Sequence, residues 1–475
     1  LGDATAAQRC LNAGPTTAET QLAIGRSLLA AGSEARGTAL LIKLAQDQPQ
    51  HPASQEAARL LSEPFFPDPA VLDALPSGLQ TQSAAVAAAR VRLANGENAS
   101  TVMQRWPNDP DVWQLQWDLA RAALLKQQWS EAQQLLERDT KLGPLPGPLE
   151  ARRLFWLGFS LEQQGEQAAA HQLWERFIHS TPPGYYRWRA MERLKQTPPL
   201  DLRQPLSTPT PDAWRPLNSD SALTNTLWRL GLTAQAWDAW RSAQAPNQTT
   251  SHPEQLVEGR LRLALGDTWK GLDQIWRLSL RWRSPNCTEL EQLHRSQLPR
   301  LFTTEMSKAA DAQQLRQELL LAISKQESRF SPGVTSPVGA IGLMQLMPAT
   351  ANELAGTTLT EQMLREPRRN INLGARYLDQ LLALWEGDPF RSIASYNAGP
   401  GAVSSWPDPN GEIDPALWVE RIPYPETRYY TKKVLDNLIR YSERNHSFCE
   451  PTSGGIGEQV TQANTTEHQN GQRQH

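Results

Sequence analysis

A single carboxylate stands in the stretch AISKQESRFSPGVTSPVGAIGLMQLMPATA, which covers residues 322–351. It belongs to Glu327, and residues 328–352 contain no Asp or Glu at all. The residues that follow are small, apolar or amide-bearing, so the surroundings of this carboxyl group should solvate a negative charge poorly. Such surroundings favour the protonated form of a glutamate. The pattern therefore indicates a carboxyl group kept protonated for proton transfer.

The segment QLRQELLLAISKQESRF predicts an amphipathic helix with Glu327 near its C-terminus. One face of this helix carries Leu315, Leu319, Ile323 and Phe330. We expect Ser331-Pro332-Gly333 to end the helix. Unpaired carbonyl groups at a helix C-terminus disfavour a nearby carboxylate, which raises its pKa further. A glutamate protonated near neutral pH suits a general acid, although a glutamate near a helix end, taken alone, is usually a solvated surface residue.

Three later blocks could surround this helix. NINLGARYLDQLLALW, residues 370–385, predicts a helix in which Gly374 allows close approach of a neighbour. Its apolar face consists of Ile371, Leu378, Leu381 and Trp385. SIASYNAGPGAVSSW, residues 392–406, leads Tyr396 and Asn397 into a Gly-Pro-Gly turn at the edge of a cleft. WVERIPYPETRYYTKKV, residues 418–434, combines aromatic residues and prolines with Glu420 and Glu426.

Taken in order, these blocks resemble the catalytic domain of the soluble lytic transglycosylases. ESRF at 327–330 is similar to the catalytic Glu-Ser pair of that family, and SPVGAIGLMQLMPATA at 336–351 to its Ser-x-x-Gly-Ala-x-Gly-Leu-Met-Gln motif. NINLGARYL, SYNAGPGAV and ERIPYPETRYY are similar to the three segments that follow in the family. The resemblance covers residues 315–440 and implies a goose-lysozyme-like helical fold that acts on bacterial peptidoglycan.

The resemblance assigns roles to seven residues. Glu327 would be the general acid and base, and the substrate-binding residues would be Ser336, Met344, Gln345, Tyr396, Asn397 and Glu420. Among these, a hydrogen bond to the sugar or to Glu327 is expected from Ser336, Gln345 and Tyr396. Met344 would form part of the groove floor. Asn397 and Glu420 are placed in the cleft by the resemblance alone.

Each of these side chains also has a local interpretation. Ser336 could serve as a turn or cap residue, and Tyr396 as a packing residue. Gln345 and Met344 could belong to the surface and the core of a helix. These alternatives stay open at the level of sequence.

In the reaction that the resemblance implies, the bond between N-acetylmuramic acid and N-acetylglucosamine is cleaved and a 1,6-anhydro end forms, without a metal or cofactor. Two other functions remain. A hydrolytic muramidase would need a second carboxylate, for which Glu353 and Glu420 are the best but poorly placed candidates. A non-enzymatic scaffold would use helical repeats to bind the cell wall or a partner.

The first 300 residues predict consecutive helical hairpins. Breaks in the apolar periodicity fall at Gly32, Gly96, Trp129, Gly165, Gly231 and Gly266. Three of the gaps between them are 33, 36 and 35 residues, close to the repeat of about 34 residues that tetratricopeptide-like hairpins show, and the gaps of 64 and 66 residues are about twice that. The fold class is therefore all-α, with an N-terminal α-superhelix of such hairpins followed by the lysozyme-like helical catalytic domain.

Fourteen of the 17 tryptophans lie before residue 300. They could form a surface that stacks on sugars, but their helical spacing favours packing between hairpins. We expect such packing for Trp156, Trp174, Trp237 and Trp276.

Composition, the helical pattern and the resemblance together predict five segments along the chain. These are a superhelical domain (1–195), a Pro-rich connector (196–217), a helical linker subdomain (218–304), the catalytic domain (305–445) and a disordered polar tail (446–475). Because residues 305–445 hold all the motifs with chemistry, this segment should retain cleavage when expressed alone. The superhelix would then bind peptidoglycan glycan strands or other cell-wall enzymes.

Charge and composition limit the partners and the location. The net charge of −3 and a pI near 6.3 provide no field that would attract nucleic acid. No apolar run is long enough for a transmembrane segment. The chain begins with Leu1, so a cleaved or trimmed N-terminus is expected and a signal peptide would not be visible. A periplasmic location follows from the resemblance alone.

The three cysteines are Cys10, Cys287 and Cys449. None has the close spacing of a metal or redox site. Three unrelated thiols are favoured over a Cys287–Cys449 disulfide.

Overall fold

A computed structural model describes residues 9, 17–63, 67–203, 214–244, 250–282, 285–407 and 413–444. In these ranges the chain is helical and contains no strand, only isolated bridges that join residue 341 to residues 335 and 346. The chain divides into two compact units, Leu1–Glu175 and Arg176–His475. The five predicted segments subdivide the chain more finely and stay a prediction, and the predicted polar tail lies outside the described residues.

The first unit is built from helical hairpins. Its helices are α1 Ala18–Ala30, α2 Glu34–Asp47, α3 Pro52–Ser62, α4 Pro69–Asp73, α5 Ser77–Gln82, α6 Ala84–Leu93, α7 Ala99–Arg105, α8 Pro110–Leu125, α9 Trp129–Leu136 and α10 Gly147–Gln163. A short 3-10 helix, Thr140–Leu142, precedes α10, and α11 Gln167–Ser180 contains the boundary between the units.

The second unit contains the remaining helices. They are α12 Tyr185–Arg193, α13 Ala222–Arg229, α14 Thr233–Ala243, α15 His252–Ala264, α16 Thr268–Arg281, α17 Cys287–Ser296, α18 Thr303–Gln313, α19 Gln317–Ser328, α20 Pro348–Ala355, α21 Glu361–Arg365, α22 Pro367–Leu384, α23 Pro389–Ala398, α24 Pro400–Ser404, α25 Pro415–Arg421 and α26 Pro425–Ser442.

The predicted breaks fall between the two helices of successive pairs. Gly32 lies between α1 and α2, and Gly165 between α10 and α11, each with a positive φ (74° and 86°) that side chains with a Cβ disfavour. The same position is occupied by Gly96, Gly231 and Gly266 in three further pairs. The break at Trp129 follows Gln127, whose φ is 59°. The hairpin prediction is therefore confirmed at each of these turns.

The tryptophans divide between packing and exposure. Trp156 and Trp174 are fully buried, as predicted, and Trp174 donates a hydrogen bond of 3.2 Å from Nε1 to the carbonyl oxygen of Phe155. Trp237 is half-buried and stacks on Trp240. The prediction is wrong for Trp276, which is 51% exposed. The buried face of α16 carries Leu272, Ile275 and Leu278 instead, and Trp276 lies beside that face.

Helix α19 runs through the centre of the second unit. Its residues 319–323 are fully buried, so apolar contacts surround this part of the helix on every side. Helices α18, α22 and α26 pack against it, and Leu435 and Leu438 of α26 belong to the same core. A central helix of this kind holds its C-terminal residues in a fixed position within the unit.

Cys287, the first residue of α17, is in a disulfide bond, so the expectation of three unpaired thiols is wrong for this residue. The other two cysteines lie outside the described residues. Within the ranges given above, none of the helices combines the length and the apolar composition needed to cross a bilayer.

Candidate active site

Helix α19 ends directly after Glu327. Its last residue is Ser328, three positions before the predicted stop at 331–333. Arg329 and Phe330 both adopt left-handed backbone conformations, with φ of 49° and 60°. The side chain of Phe330 is 2% exposed and belongs to the core. The left-handed conformation is unfavourable for non-glycine residues, and burial of the Phe330 ring offsets its cost. The two features together determine where the helix ends.

The carboxyl group of Glu327 lies in a partly buried site beside a tyrosine. The hydroxyl group of Tyr430 donates a hydrogen bond of 2.6 Å to Oε1 of Glu327. Burial raises the pKa of Glu327 to about 7, the hydrogen bond from Tyr430 acts in the opposite direction, and the negative charge of Glu426 raises it further. The predicted rise in the pKa of Glu327 is therefore confirmed, and burial is its main cause.

The loop after α19 is tied to the helix through Ser328. The hydroxyl group of Ser328 donates to the carbonyl oxygen of Leu343 at 2.7 Å, and the side chain is fully buried. Ser336 lies farther along the loop, half-buried, and its Oγ accepts a hydrogen bond of 2.9 Å from the backbone N–H of Ala340. Ser336 thus stabilises a turn, which agrees with its local interpretation and leaves a role in sugar binding as a prediction.

Asn370 holds the same loop from α22. Its side chain is fully buried, and its Oδ1 accepts a hydrogen bond of 2.7 Å from the backbone N–H of Met344. Its Nδ2 donates to the carbonyl oxygens of Ile341 and Leu364 at 3.0 and 2.9 Å. One amide group therefore binds three backbone groups, of which the Ile341 carbonyl oxygen also accepts a hydrogen bond from the backbone N–H of Leu346.

Gly374 lies against Met344, as its position in the predicted helix indicated. A Cβ atom on Gly374 would come within 2.4 Å of Sδ of Met344, so a larger residue would force the Met344 side chain to move. The side chain of Met344 is fully buried. It packs beneath the loop and has no exposed surface that could form the floor of a groove in this conformation.

Tyr396 approaches Glu327 from the end of α23. Its hydroxyl group donates a hydrogen bond of 2.9 Å to the carbonyl oxygen of Met344, and its ring lies 5.3 Å from that of Tyr377. Burial raises the pKa of Tyr396, and the charge of Glu327 raises it further. The structure therefore brings Tyr396 and Glu327 within electrostatic reach of each other.

Asn397 and Gln345 make local hydrogen bonds. Oδ1 of Asn397 accepts a hydrogen bond of 2.6 Å from the hydroxyl group of Thr427, which joins α23 to the first turn of α26. Nε2 of Gln345 donates to the carbonyl oxygens of Gly342 and Val334 at 2.8 and 3.2 Å. The left-handed backbone of Gln345, with φ of 47°, indicates a tightly constrained position in the loop.

Glu420 lies in a different environment. Its side chain is 1% exposed, and its Oε1 accepts a hydrogen bond of 2.6 Å from Nζ of Lys432. Nε of Arg428 lies 3.9 Å from its other oxygen. These described contacts form a buried ion-pair cluster and do not bring Glu420 to Glu327.

The sequence interpretation missed Tyr430 and did not assign a role to Glu426. Both act directly on the carboxyl group of Glu327. They are four residues apart, a spacing that places two side chains on the same face of a helix, here α26. This spacing within the block PETRYY was a readable signal, although it does not show which residue the two side chains face.

The site has the properties of a proton-transfer site. A carboxyl group whose pKa is raised to about 7 can donate a proton near neutral pH and take one back. The phenol of Tyr430 stabilises the carboxylate that remains after donation. Among the described residues, no group of three or more His, Cys, Asp or Glu side chains lies together as metal ligands would.

Comparison with known protein families shows that Glu327 lies in a segment that matches a described domain. Residues 305–419 match the transglycosylase SLT domain family. The chain is 29% identical over 317 residues to the soluble lytic murein transglycosylase of Escherichia coli strain K12, covering 62% of this chain and 45% of that protein. The chain thus spans less than half the length of this relative.

Two crystal structures resemble the whole chain. One is an inactive mutant of the lytic transglycosylase Slt from Pseudomonas aeruginosa, at 21% identity and a TM-score of 0.51, covering 93% of this chain and 86% of that one. The other is the 70-kDa soluble lytic transglycosylase from Escherichia coli, at 20% identity and a TM-score of 0.51, covering 91% and 73%. At these identities the likeness concerns the fold. It confirms the predicted all-α class, with helical hairpins before a lysozyme-like helical domain.

Proposed function

We propose that the chain, whose residues 305–419 match the transglycosylase SLT domain family, is a lytic transglycosylase that cleaves peptidoglycan. The observation that carries this proposal is the partly buried carboxyl group of Glu327, with a pKa near 7 and a hydrogen bond from Tyr430. The relatives are named as murein transglycosylases, which supplies the substrate class.

The reaction begins with proton donation by Glu327. Its protonated carboxyl group transfers a proton to the glycosidic oxygen between N-acetylmuramic acid and N-acetylglucosamine as that bond breaks. The hydrogen bond from Tyr430 strengthens as negative charge develops on Oε1 of Glu327. The N-acetyl group of the muramic acid stabilises the positive charge that develops at the anomeric carbon, in place of a second carboxylate.

The same glutamate then acts as the base. The carboxylate of Glu327 removes the proton from the 6-hydroxyl group of the muramic acid, whose oxygen attacks the anomeric carbon. A 1,6-anhydro ring forms, and Glu327 regains its proton without consuming water. The 6-hydroxyl group is tethered to the reacting ring, so its effective concentration is far above that of a free nucleophile. Residues 328–352 supply no carboxylate that would activate water instead.

Substrate binding is the proposed role of the residues around Glu327. Tyr396, Gln345 and Ser336 would contact the sugar from the loop and from α23, with Asn397 at the edge of the cleft. Met344 supports this loop from below. A role for Glu420 would be indirect, since its described contacts are buried ion pairs.

The rest of the chain would deliver the substrate. We place the protein in the periplasm, where peptidoglycan lies, and assign binding of glycan strands or of other cell-wall enzymes to the helical hairpins.

Digestion of purified sacculi tests the proposal. Mass spectrometry should find products with 1,6-anhydromuramoyl ends, each lighter by one water than the corresponding hydrolysis product. Products with mainly reducing ends would identify a muramidase and a missed second carboxylate. The absence of any product from intact sacculi and from isolated glycan strands would favour the non-enzymatic scaffold. Glu327→Gln should lower cleavage by at least about a hundredfold, because it removes the transferable proton.

A further inference from the structure

Helix α16 presents an exposed aromatic face that begins beside the active-site helix. Trp269 and Trp276 are 49% and 51% exposed. They are seven residues apart, so they lie on the same face about two turns, or about 10 Å, from each other. Asp273 lies between them on this face. We call Trp269, Asp273 and Trp276 the α16 stripe.

The stripe is joined to the end of α19. The guanidinium carbon of Arg329 lies 4.4 Å from the centroid of the Trp269 ring, and Nη1 of Arg329 lies 3.6 Å from Oδ1 of Asp273. The hydroxyl groups of Thr268 and Ser331 are 3.2 Å apart. Arg329 is the second residue after Glu327, so the stripe begins next to the segment that carries the proposed catalytic group.

Two arginines beside the stripe give this surface a net positive charge. Nε of Arg277 lies 2.7 Å from Oδ2 of Asp273, and the side chain of Arg277 is 64% exposed. Asp273 therefore bridges Arg277 and Arg329, which leaves two arginines against one aspartate. The two indole rings offer apolar faces, and the arginines offer donors for carboxylates.

We propose that the α16 stripe binds the glycan strand of peptidoglycan beyond the cleaved bond, as an extension of the catalytic cleft. The indole rings pack on the apolar faces of successive sugars, and the arginines pair with the carboxylates of the acidic stem peptides. This inference rests on the proposed function for the identity of the polymer. It adds a binding surface from residues that precede the SLT domain at 305–419.

The continuity with Glu327 argues for a glycan over other occupants. A strand bound at Glu327 would extend past the reacting sugars in both directions, and the contacts of Arg329 hold the stripe beside the end of α19. A spacing of about 10 Å along the helix axis is comparable to the length of a disaccharide. Leu280, four residues after Trp276 on the same face, is also 44% exposed, so a contact with another protein copy is the alternative that the experiment below separates.

Binding to sacculi in the inactive Glu327→Gln background tests the proposal without digestion. The double variant Trp269→Ala/Trp276→Ala should bind sedimented sacculi about tenfold more weakly than the background protein. Trp276→Ala alone should show a smaller loss in the same direction, and Trp276→Phe should restore most of it. The matched control is Trp214→Ala, since Trp214 is 59% exposed and lies outside α16. It should bind as the background protein does.

Because Trp269 also contacts Arg329, the single variant Trp276→Ala is the decisive one if the double variant melts at a lower temperature. With Glu327 intact, kcat/KM for isolated glycan strands should rise with strand length. Trp276→Ala should flatten this dependence. Equal binding by Trp276→Ala and its background, or an equal loss in Trp214→Ala, would overturn the proposal. The proposal would also be overturned if Trp276→Ala bound sacculi normally but no longer self-associated in sedimentation-velocity experiments. The stripe would then be a contact between protein copies.

The two proposals can fail separately. If the unmodified chain leaves sacculi and isolated strands uncleaved, the proposed catalytic function fails, while weaker binding by Trp276→Ala still supports a polysaccharide surface. If the unmodified chain cleaves sacculi but the tryptophan variants bind normally, the α16 stripe is wrong and the catalytic proposal stands.

Discussion

Tyr430 donates its hydroxyl hydrogen to Oε1 of Glu327 at 2.6 Å, across 103 positions of the sequence. This contact joins the end of α19 to the second turn of α26. It stabilises the carboxylate form of Glu327 and opposes the effect of burial, which favours the protonated form. The pKa of Glu327, about 7, is the balance of these influences together with the charge of Glu426.

Tyr430→Phe should raise the pKa of Glu327 further. The substitution removes the hydrogen bond to the carboxylate and leaves the burial unchanged. A general acid must be protonated to act. The pH above which activity declines should therefore increase by about one unit. The pH profile of cleavage with isolated glycan strands measures this shift. Tyr429→Phe is the control, because the neighbouring ring is 41% exposed. An unchanged profile in Tyr430→Phe would contradict the assigned role.

Glu426→Gln should have the opposite effect on the pH profile. The charge of Glu426 raises the pKa of Glu327, so its removal should lower that pKa by roughly half a unit. The products should keep their anhydro ends, because Glu426 does not take part in the proposed chemistry. If Glu426 instead activated water, the unmodified chain would release mainly reducing ends and the substitution would abolish this cleavage. Mass spectrometry together with the pH profile distinguishes these cases.

Local patterns predicted the supporting elements of the site well. The apolar spacing around Leu319 and Ile323 predicted α19, and Gly374 predicted a close neighbour, which is Met344. These features depend on residues a few positions apart or on the size of one side chain. The end of α19 was misplaced, because its position depends on the burial of Phe330 in a left-handed conformation. That burial results from tertiary packing.

The missed features depend on distant contacts. Tyr430 faces Glu327 because α26 packs against α19, and neither segment alone specifies that pairing. The exposure of Trp276 was also missed. Its helical spacing was correctly recognised, but spacing does not determine whether another helix covers that face.

Glu327→Gln should stabilise the protein at neutral and higher pH. The pKa of Glu327 is about 7 in the folded protein and near the model-peptide value of 4.5 when unfolded. Folding therefore favours the protonated form, and the carboxyl group lowers stability progressively as the pH rises from 4.5 through 7. The gain in the free energy of unfolding should be negligible at pH 4 and reach on the order of 1–3 kcal/mol above pH 7. Urea denaturation of both proteins across this range measures the difference. Parallel curves at all pH values would show that Glu327 is not destabilised in its ionised form.

Asn370→Ala should destabilise the fold and lower the cleavage rate. The substitution removes the hydrogen bonds of Asn370 to the N–H of Met344 and to the carbonyl groups of Ile341 and Leu364, of which Ile341 keeps the bond from the N–H of Leu346. The expected loss is about 2–4 kcal/mol in the free energy of unfolding. The loop would also lose the position from which the Met344 carbonyl group accepts the hydrogen bond of Tyr396. Asn372→Ala, at an exposed position of the same helix, should change stability by less than about 0.5 kcal/mol. Equal losses in both variants would refute the specific role of Asn370.

The catalytic segment should need α12 for full stability. The sequence predicts that residues 305–445 cleave when expressed alone, but Tyr185 and Trp188 of α12 belong to the same core as α19. The Trp188 ring stacks on Phe390 with centroids 6.0 Å apart, and the backbone N–H of Tyr185 donates to Oδ1 of Asp436 at 2.9 Å. Removing α12 exposes these apolar surfaces and leaves the carboxylate of Asp436 without this donor.

A fragment of residues 176–445 should therefore melt at a higher temperature than residues 305–445 and retain more cleavage of isolated glycan strands. Both fragments contain every residue assigned to the chemistry, but only the longer one contains the α16 stripe. The effect of stability on activity is therefore measured within each fragment, as the ratio of its activities at 37 °C and 20 °C. Thermal unfolding and the release of anhydro products at 20 °C and 37 °C measure the two quantities. We expect the shorter fragment to lose more of its activity at the higher temperature, because burial of the α12 side chains contributes several kcal/mol to the folded state. Equal melting temperatures for the two fragments would show that the core of the catalytic segment is complete without α12.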